Sequence, residues 1–329
     1  MRSAPLAALL LLCTSGAQAA DWQVQKVPAP ARITAIDPSR SARINAGGLW
    51  YELVVKDSQA RLAYDGDEPK QEMPENALPH GRIVVGTRDI ARAWLRGPTQ
   101  RYDHAILGDK VSAGSLTIET RDGKMQTVSL KDDAVFEDLS PRLADIDGDG
   151  HDEVVVVKSY LTRGSALAVI GLRNGRYTII AETPPIGEPN RWLNPAGIAD
   201  FTGDGKIDIA LVRTPHLTGE LEVWTWRDGG LVKTGALADV TNHIAGTRAL
   251  DMSAVGDFNG DGVADLAIPS FDRSRLRLIS FVPQPQEIAS IALPAKAVTN
   301  LARIDAGKGA SAVALGLADG PLALVRQTP

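Results

Sequence analysis

Asp145-Ile146-Asp147-Gly148-Asp149-Gly150-His151-Asp152-Glu153 decides how this chain folds, because the stretch recurs. Asp200-Phe201-Thr202-Gly203-Asp204-Gly205-Lys206-Ile207-Asp208 begins 55 residues later, and Asp257-Phe258-Asn259-Gly260-Asp261-Gly262-Val263-Ala264-Asp265 follows after a further 57. Small and apolar residues precede each copy: Leu143-Ala144, Gly197-Ile198-Ala199 and Ala254-Val255-Gly256. Each copy leads into a β-branched or aliphatic run, Val154 to Val157, Ile209 to Val212 and Leu266 to Ile268. Runs of that length and composition read as strands. A second landmark keeps the same phase. Asn174-Gly175 lies 29 residues after Asp145, and Asp228-Gly229 lies 28 after Asp200. Asn or Asp before Gly readily takes positive φ and marks a hairpin. Pro283-Gln284-Pro285 stands at nearly the same offset in the third copy. The repeated object is therefore a whole structural unit.

The same phase exposes eroded units. Counting back from the hairpin Asp122-Gly123 places a degenerate loop over 95–103, where only Asp103 keeps an acid. Two more fall over 37–45, ahead of Leu49 to Val55, and over 303–312, ahead of Ala312 to Leu315 and the Asp319-Gly320 turn. Six units result, three intact and three eroded. The last is short by one or two strands, and Trp22 to Val27 can supply one and close a ring. Units of about 50 residues with four short strands predict an all-β chain folded as a single β-propeller. Six or seven four-stranded blades fit the length, and the count favours six. No Pro- or Ser-rich linker divides residues 20–329, so they form one domain.

Arg2, the apolar run Leu6 to Leu12 and Ala17-Gln18-Ala19 form the pattern of a secretory signal peptide over 1–19. The expected product is exported, periplasmic or extracellular. Cys13 is the only cysteine and departs with that segment, which excludes disulfides and thiolate chemistry from the remainder. Without Arg2, 34 basic side chains face 40 acidic ones, a net charge near −6. That balance argues against a nucleic-acid surface. No later stretch is apolar enough to insert in a membrane.

The acidity is concentrated in the three loops. Calcium takes six to eight hard oxygens, several of them carboxylates. Loop positions 1, 3, 5 and 9 offer such oxygens: Asp145, Asp147, Asp149 and Glu153; Asp200, Thr202, Asp204 and Asp208; Asp257, Asn259, Asp261 and Asp265. Position 7 (His151, Lys206, Val263) offers its backbone carbonyl, and position 6 is always glycine. Crowded carboxylates repel unless a cation intervenes. Up to three Ca2+ ions are expected, one per loop, the first loop having most acids. An EF-hand needs an acid at position 12, but Val156, Leu211 and Ile268 stand there.

These loops resemble FG-GAP or VCBS-type repeats, the calcium-loop blades of integrin α-subunit propellers and of many exported bacterial proteins. The resemblance implies a propeller, often of seven blades, whose metal loops join adjacent strands. It also implies that the ions chiefly brace turns.

Catalytic patterns such as H-E-x-x-H, G-x-S-x-G and a phosphate-binding Gly-rich loop are missing. Gly307-x-Gly309-x-x-Ala312 has dinucleotide spacing but sits between strands, as a degenerate turn would. His80, His104, His151, His216 and His243 are scattered and read as loop or surface residues. Trp224 and Trp226 share a strand face, and they and Trp192 read as packing residues before they read as a sugar platform. The functional expectation is a non-catalytic binding or scaffold module for protein or glycan. A carbohydrate-active enzyme resembling polysaccharide lyases and a structural subunit of a surface assembly stay open, so whether the chain is an enzyme is undecided.

Overall fold

The structure, a computed structural model, describes residues 21–38, 42–56, 59–67, 71–305 and 311–328. The expected signal peptide over 1–19, together with Gly307 and Gly309, lies outside the described residues. Among those described there are 25 strands and no helix. After β1 (Trp22–Val27) come β2 (Ile33–Asp37), β3 (Arg43–Ala46), β4 (Leu49–Lys56) and β5 (Gln59–Gly66), which form sheet 1. Next are β6 (Val84–Val85), β7 (Ile90–Thr99), β8 (Ser112–Thr120) and β9 (Met125–Ser129), sheet 2. Sheet 3 holds β10 (Ala134–Phe136), β11 (Arg142–Ala144), β12 (Glu153–Tyr160), β13 (Gly164–Arg173) and β14 (Arg176–Glu182). Sheet 4 follows with β15 (Leu193–Ala199), β16 (Asp208–Arg213), β17 (Glu220–Arg227) and β18 (Gly230–Leu237). Sheet 5 contains β19 (Ala254–Gly256), β20 (Asp265–Pro269), β21 (Arg275–Ser280) and β22 (Gln286–Ala292). In sheet 6, β23 (Ala297–Asp305), β24 (Ser311–Leu317) and β25 (Leu322–Gln327) are completed by β1, which pairs Trp22 with Gln327 through Val27 with Leu322.

All pairings are antiparallel, and the architecture is of the propeller class, with six sheets. Sheets 2 and 3 are joined into one nine-stranded ladder through a single backbone pairing, Phe136 with Ala113, and side chains make further contacts between them. The short β10 and β11 act together as the first strand of sheet 3, both pairing with β12. Between them the ladder is broken, and the Asp138 carboxylate takes the Val157 N–H at 3.0 Å. Successive first strands pack side by side, β15 on β19, β19 on β23 and β23 on β2. The space there is small, which is why small residues precede the loops. A Cβ on Gly197 would lie 2.6 Å from Val255 Cγ2.

The aliphatic runs are the second strands. Val154 to Val157, Ile209 to Val212, Leu266 to Ile268 and Ala312 to Leu315 are all fully buried. A strand covered on both faces loses the polar alternation of a half-exposed one, so it reads as a continuous apolar run. Trp192 and Trp224 are buried and Trp226 half-buried in the largest apolar cluster, in keeping with packing roles.

Of the three eroded loops, 37–45 and 303–312 run from the first strand to the second in sheets 1 and 6, with 39–41 and 306–310 outside the described residues. The third does not. Residues 95–103 lie on β7 and just beyond it, and the corresponding connection in sheet 2 is 86–89. The hairpin at Asp122-Gly123 is in phase, but the β7–β8 connection runs over 100–111, against 161–163 and 214–219 in sheets 3 and 4. That insertion displaced the backward count.

Removing residues through Val27 strips β1 from β25 and exposes a fully paired edge. Bare strand edges recruit other chains. The truncated protein is expected to melt at lower temperature and to associate with rising concentration, as read by thermal unfolding and size-exclusion chromatography.

Candidate functional site

Each intact loop joins the first strand of its sheet to the second: 145–152 links β11 to β12, 200–207 links β15 to β16, and 257–264 links β19 to β20. One hydrogen-bond scheme serves all three. The position-1 carboxylate accepts the position-6 glycine N–H, at 3.1 Å for Asp145, 2.8 Å for Asp200 and 3.0 Å for Asp257. The position-5 carboxylate accepts the position-7 N–H, at 2.9 Å for Asp149, 3.0 Å for Asp204 and 2.8 Å for Asp261. Beneath the loop, the position-9 carboxylate accepts the position-2 N–H, at 2.9 Å for Glu153, 3.1 Å for Asp208 and 2.9 Å for Asp265. Position 6 needs glycine for its backbone angle and not for space. Gly150, Gly205 and Gly262 have φ of 91°, 83° and 85°, and an added Cβ would meet nothing within 4 Å.

Position 2 anchors the turn. Ile146, Phe201 and Phe258 are buried, with Phe201 tilted on Phe281 at 4.7 Å and Phe258 edge-on to Trp22 at 6.3 Å. A family model described as FG-GAP-like repeat matches residues 145–211 and again 200–268. These segments are FG-GAP-like repeats. No curated protein matches the chain. Among solved structures, one similar chain is "Crystal structure of rhamnogalacturonan lyase YesW at 1.40 A resolution", 15% identical with a TM-score of 0.47. Another is Saccharomyces cerevisiae Sqt1, also 15% identical, with a TM-score of 0.41. The alignments cover 83% and 77% of this chain but only 56% and 62% of those two.

The FG-GAP-like loops differ in what they offer a cation. Asp145, Asp147 and Asp149 each present an oxygen, and the three oxygens lie within 4.8 Å of one another. Asp145 Oδ1 is buried with no hydrogen-bond partner, and so is Asp265 Oδ1 in the third loop. Hard, negatively charged oxygens with unspent lone pairs fit Ca2+. The second loop is more committed. Asp208 Oδ1 accepts from Thr225, and Oδ2 accepts from both the Phe201 N–H and, at 3.2 Å, the Thr202 hydroxyl. Asp200 and Asp204 keep more exposed positions. Asn259 bonds Asp261 at 2.9 Å in the third loop. The side chains of His151 and Lys206 point to solvent-exposed positions, and Val263 is half-buried.

Burial moves the position-9 acids. It pushes Glu153 up to about 7, with the Asp147 and Asp149 charges adding to it, and Asp265 up to about 6, with Asp261 adding. Asp208 is raised for the same leading reason. Two arginines that sequence inspection had not connected to the first loop neutralise part of it. Arg88 Nη1 lies 2.7 Å from Asp145 Oδ2, and Arg173 Nη2 lies 2.7 Å from Asp147 Oδ2. They come from 57 and 26 residues away, beyond any local pattern. Arg88 and its neighbour Asp89, which accepts the Asp152 N–H at 2.8 Å, occupy the loop of sheet 2 that the phase count missed.

A second cluster forms at the other ends of the same strands. Ser159 is near the end of β12 remote from its acidic loop, and Trp192 just precedes β15, again remote. There the inserted β7–β8 connection brings Tyr102 and His104 to Glu137. His104 Nδ1 lies 2.6 Å from Glu137 Oε1, and the Ser159 hydroxyl donates to Glu137 Oε2 at 2.5 Å. Trp192 Nε1 donates to the Glu137 carbonyl at 3.1 Å. His216 stacks parallel on Trp192, with centroids 6.1 Å apart and planes 5° apart, and its Nε2 lies 3.0 Å from His243 Nδ1. Burial pushes His216 down to about 4 and His243 down to about 3, so both rings are neutral, while burial raises Glu137. His80 and His151 are exposed, as expected, whereas His216 and His243 meet beside Trp192 and His104 reaches Glu137, whose carbonyl Trp192 bonds. Only their separate places at strand ends could have signalled this.

Phe201 is fully buried under the second loop. Phe201→Ala is expected to cost about 3–5 kcal/mol, with or without metal, measured by denaturant unfolding.

Proposed function

We propose that this chain is an exported, calcium-binding propeller that acts as a non-catalytic binding or scaffold module for a protein or glycan partner. The observation that carries the calcium reading is the convergence of Asp145, Asp147 and Asp149 within 4.8 Å, with Asp145 Oδ1 left without a partner. When bound, Ca2+ supplies positive charge to carboxylates that otherwise repel. This chain's own residues supply the rest. Ile146, Phe201 and Phe258 fix each turn in the apolar interior, and the position-9 carboxylates hold the backbone beneath it. The ions would brace connections between first and second strands, leaving the opposite ends of the strands to meet a partner. Among the described residues, no helix is long and apolar enough to cross a membrane.

A carbohydrate-active enzyme is the second reading, favoured by Glu137, His104, Tyr102 and Trp192 lying together at one end of the sheets. Incubation with a panel of acidic and neutral polysaccharides in calcium separates the two readings. Retention on a polysaccharide without new reducing or unsaturated ends supports a binding module, and turnover replaces that reading with the enzymatic one.

Calcium is expected to raise the melting temperature and chelator to lower it, because a ligand of the folded state alone stabilises by about 2.7 kcal/mol per site at a hundredfold excess over Kd. A melting curve indifferent to both overturns the calcium reading. Asp149→Asn is expected to remove more of this stabilisation than Thr202→Ala, since Thr202 is a neutral oxygen already turned to Asp208. Arg173→Ala is expected to tighten calcium binding to the first loop, read by isothermal titration, because it frees Asp147 Oδ2.

A further inference from the structure

Given the calcium reading on which this rests, we propose that Arg88, carried by sheet 2, orients Asp145 toward the cation, so that the first calcium site is built from two sheets. In the second and third loops the position-1 carboxylate spends both oxygens on closing its own turn. Asp200 Oδ1 accepts the Gly203 and Asp204 N–H groups at 2.7 and 3.2 Å, and Oδ2 accepts that of Gly205 at 2.8 Å. Asp257 Oδ1 accepts the Gly260 N–H at 2.7 Å, and Oδ2 accepts that of Gly262 at 3.0 Å. Asp145 breaks the pattern. Its Oδ2 takes both the Gly150 N–H at 3.1 Å and Arg88 Nη1 at 2.7 Å, while its Oδ1 is buried and has no partner. The first loop is also the one whose position-1, position-3 and position-5 carboxylates present oxygens within 4.8 Å of one another, and no other such group of three forms among the described residues.

A carboxylate gripped at one oxygen offers the other in a fixed direction, and partners of this kind orient metal ligands. Arg88 can grip because its own backbone is held. Arg121, which opens the β8–β9 hairpin, donates its Nε to the Arg88 carbonyl and its Nη2 to the Gly86 carbonyl at 2.7 Å. The Arg121 N–H reaches the Asp89 carbonyl at 2.9 Å. Asp89 in turn accepts the Asp152 N–H, so two consecutive residues of sheet 2 hold the loop at Asp145 and at Asp152. Arg173 acts in the opposite sense. It takes Asp147 Oδ2, but Asp147 Oδ1 already accepts the Asp149 N–H at 3.2 Å, so both oxygens of that carboxylate are engaged. The positive charge of Arg88 opposes a second cation, and magnitudes decide which effect wins. The Arg88 side chain is 48% exposed, so its charge is screened and worth about fivefold at most. Loss of an orienting partner costs about 10- to 100-fold in metal affinity.

Isothermal titration of the full chain with calcium chloride is the test. Arg88→Ala should weaken one binding event by about tenfold or more, and Arg88→Lys, which keeps a cationic donor, should recover most of the loss. Asp149→Asn should remove that same event. Arg121→Gln leaves every loop acid in place, yet it should weaken the same event and add little in the Arg88→Ala background, because both act through one carboxylate. It also carries the test should Arg88→Ala fail to fold. Unchanged or tighter binding in Arg88→Ala, or full additivity with Arg121→Gln, overturns the proposal and leaves the calcium reading standing. An unaltered protein that binds no calcium overturns both.

Discussion

Every intact second strand in this protein is covered on both faces, and that constraint orders the other elements around it. Val154 to Val157, Ile209 to Val212 and Leu266 to Ile268 have no solvent-facing side, so each must be apolar throughout and flanked by a neighbouring sheet. The first strands then crowd together, and small residues such as Gly197 are required where they meet. Polar atoms are driven to the strand ends. One set of ends carries the acidic loops, and the other carries the histidine and glutamate cluster.

The acidic loops resolve a conflict between burial and charge. A carboxylate at position 9 is taken out of water, which favours its neutral form and raises Glu153 and Asp265. It stays because the position-2 N–H, itself carried inward by Ile146, Phe201 or Phe258, needs an acceptor. Without that carboxylate the buried donor would be left unsatisfied, at a cost of about 1–3 kcal/mol. The acids at positions 1, 3 and 5, nearer the surface than position 9, have no such duty beyond closing the turn. That division of labour leaves them with lone pairs for a cation, and in the first loop it leaves room for Arg88 and Arg173 to share them.

The two ends of the sheets thus differ in chemistry. Hard oxygens dominate one, aromatic and imidazole groups the other. The second set is assembled around Glu137, which sits in the break between β10 and β11, and around the long β7–β8 connection. Both features are departures from a regular repeat. A break in a ladder frees backbone and side-chain groups that a continuous strand would use up, and a long connection brings distant residues over it.

Periodicity alone determined the all-β class, the six units, the joints occupied by the intact loops and the N-terminal strand that completes sheet 6, because each rests on a local pattern or on a constant spacing. The ligand candidates in the three loops were legible for the same reason, being within nine residues of each other. Spacing failed where an insertion broke it, at 95–103. Only the tertiary structure decided that Arg88 and Arg173 reach the first loop, that Asp208 turns to Thr225 and Thr202, that His216 and His243 meet beside Trp192, and that His104 reaches Glu137. Those contacts depend on how neighbouring sheets lie against each other, and nothing in a linear pattern encodes the distance between residues carried by different sheets.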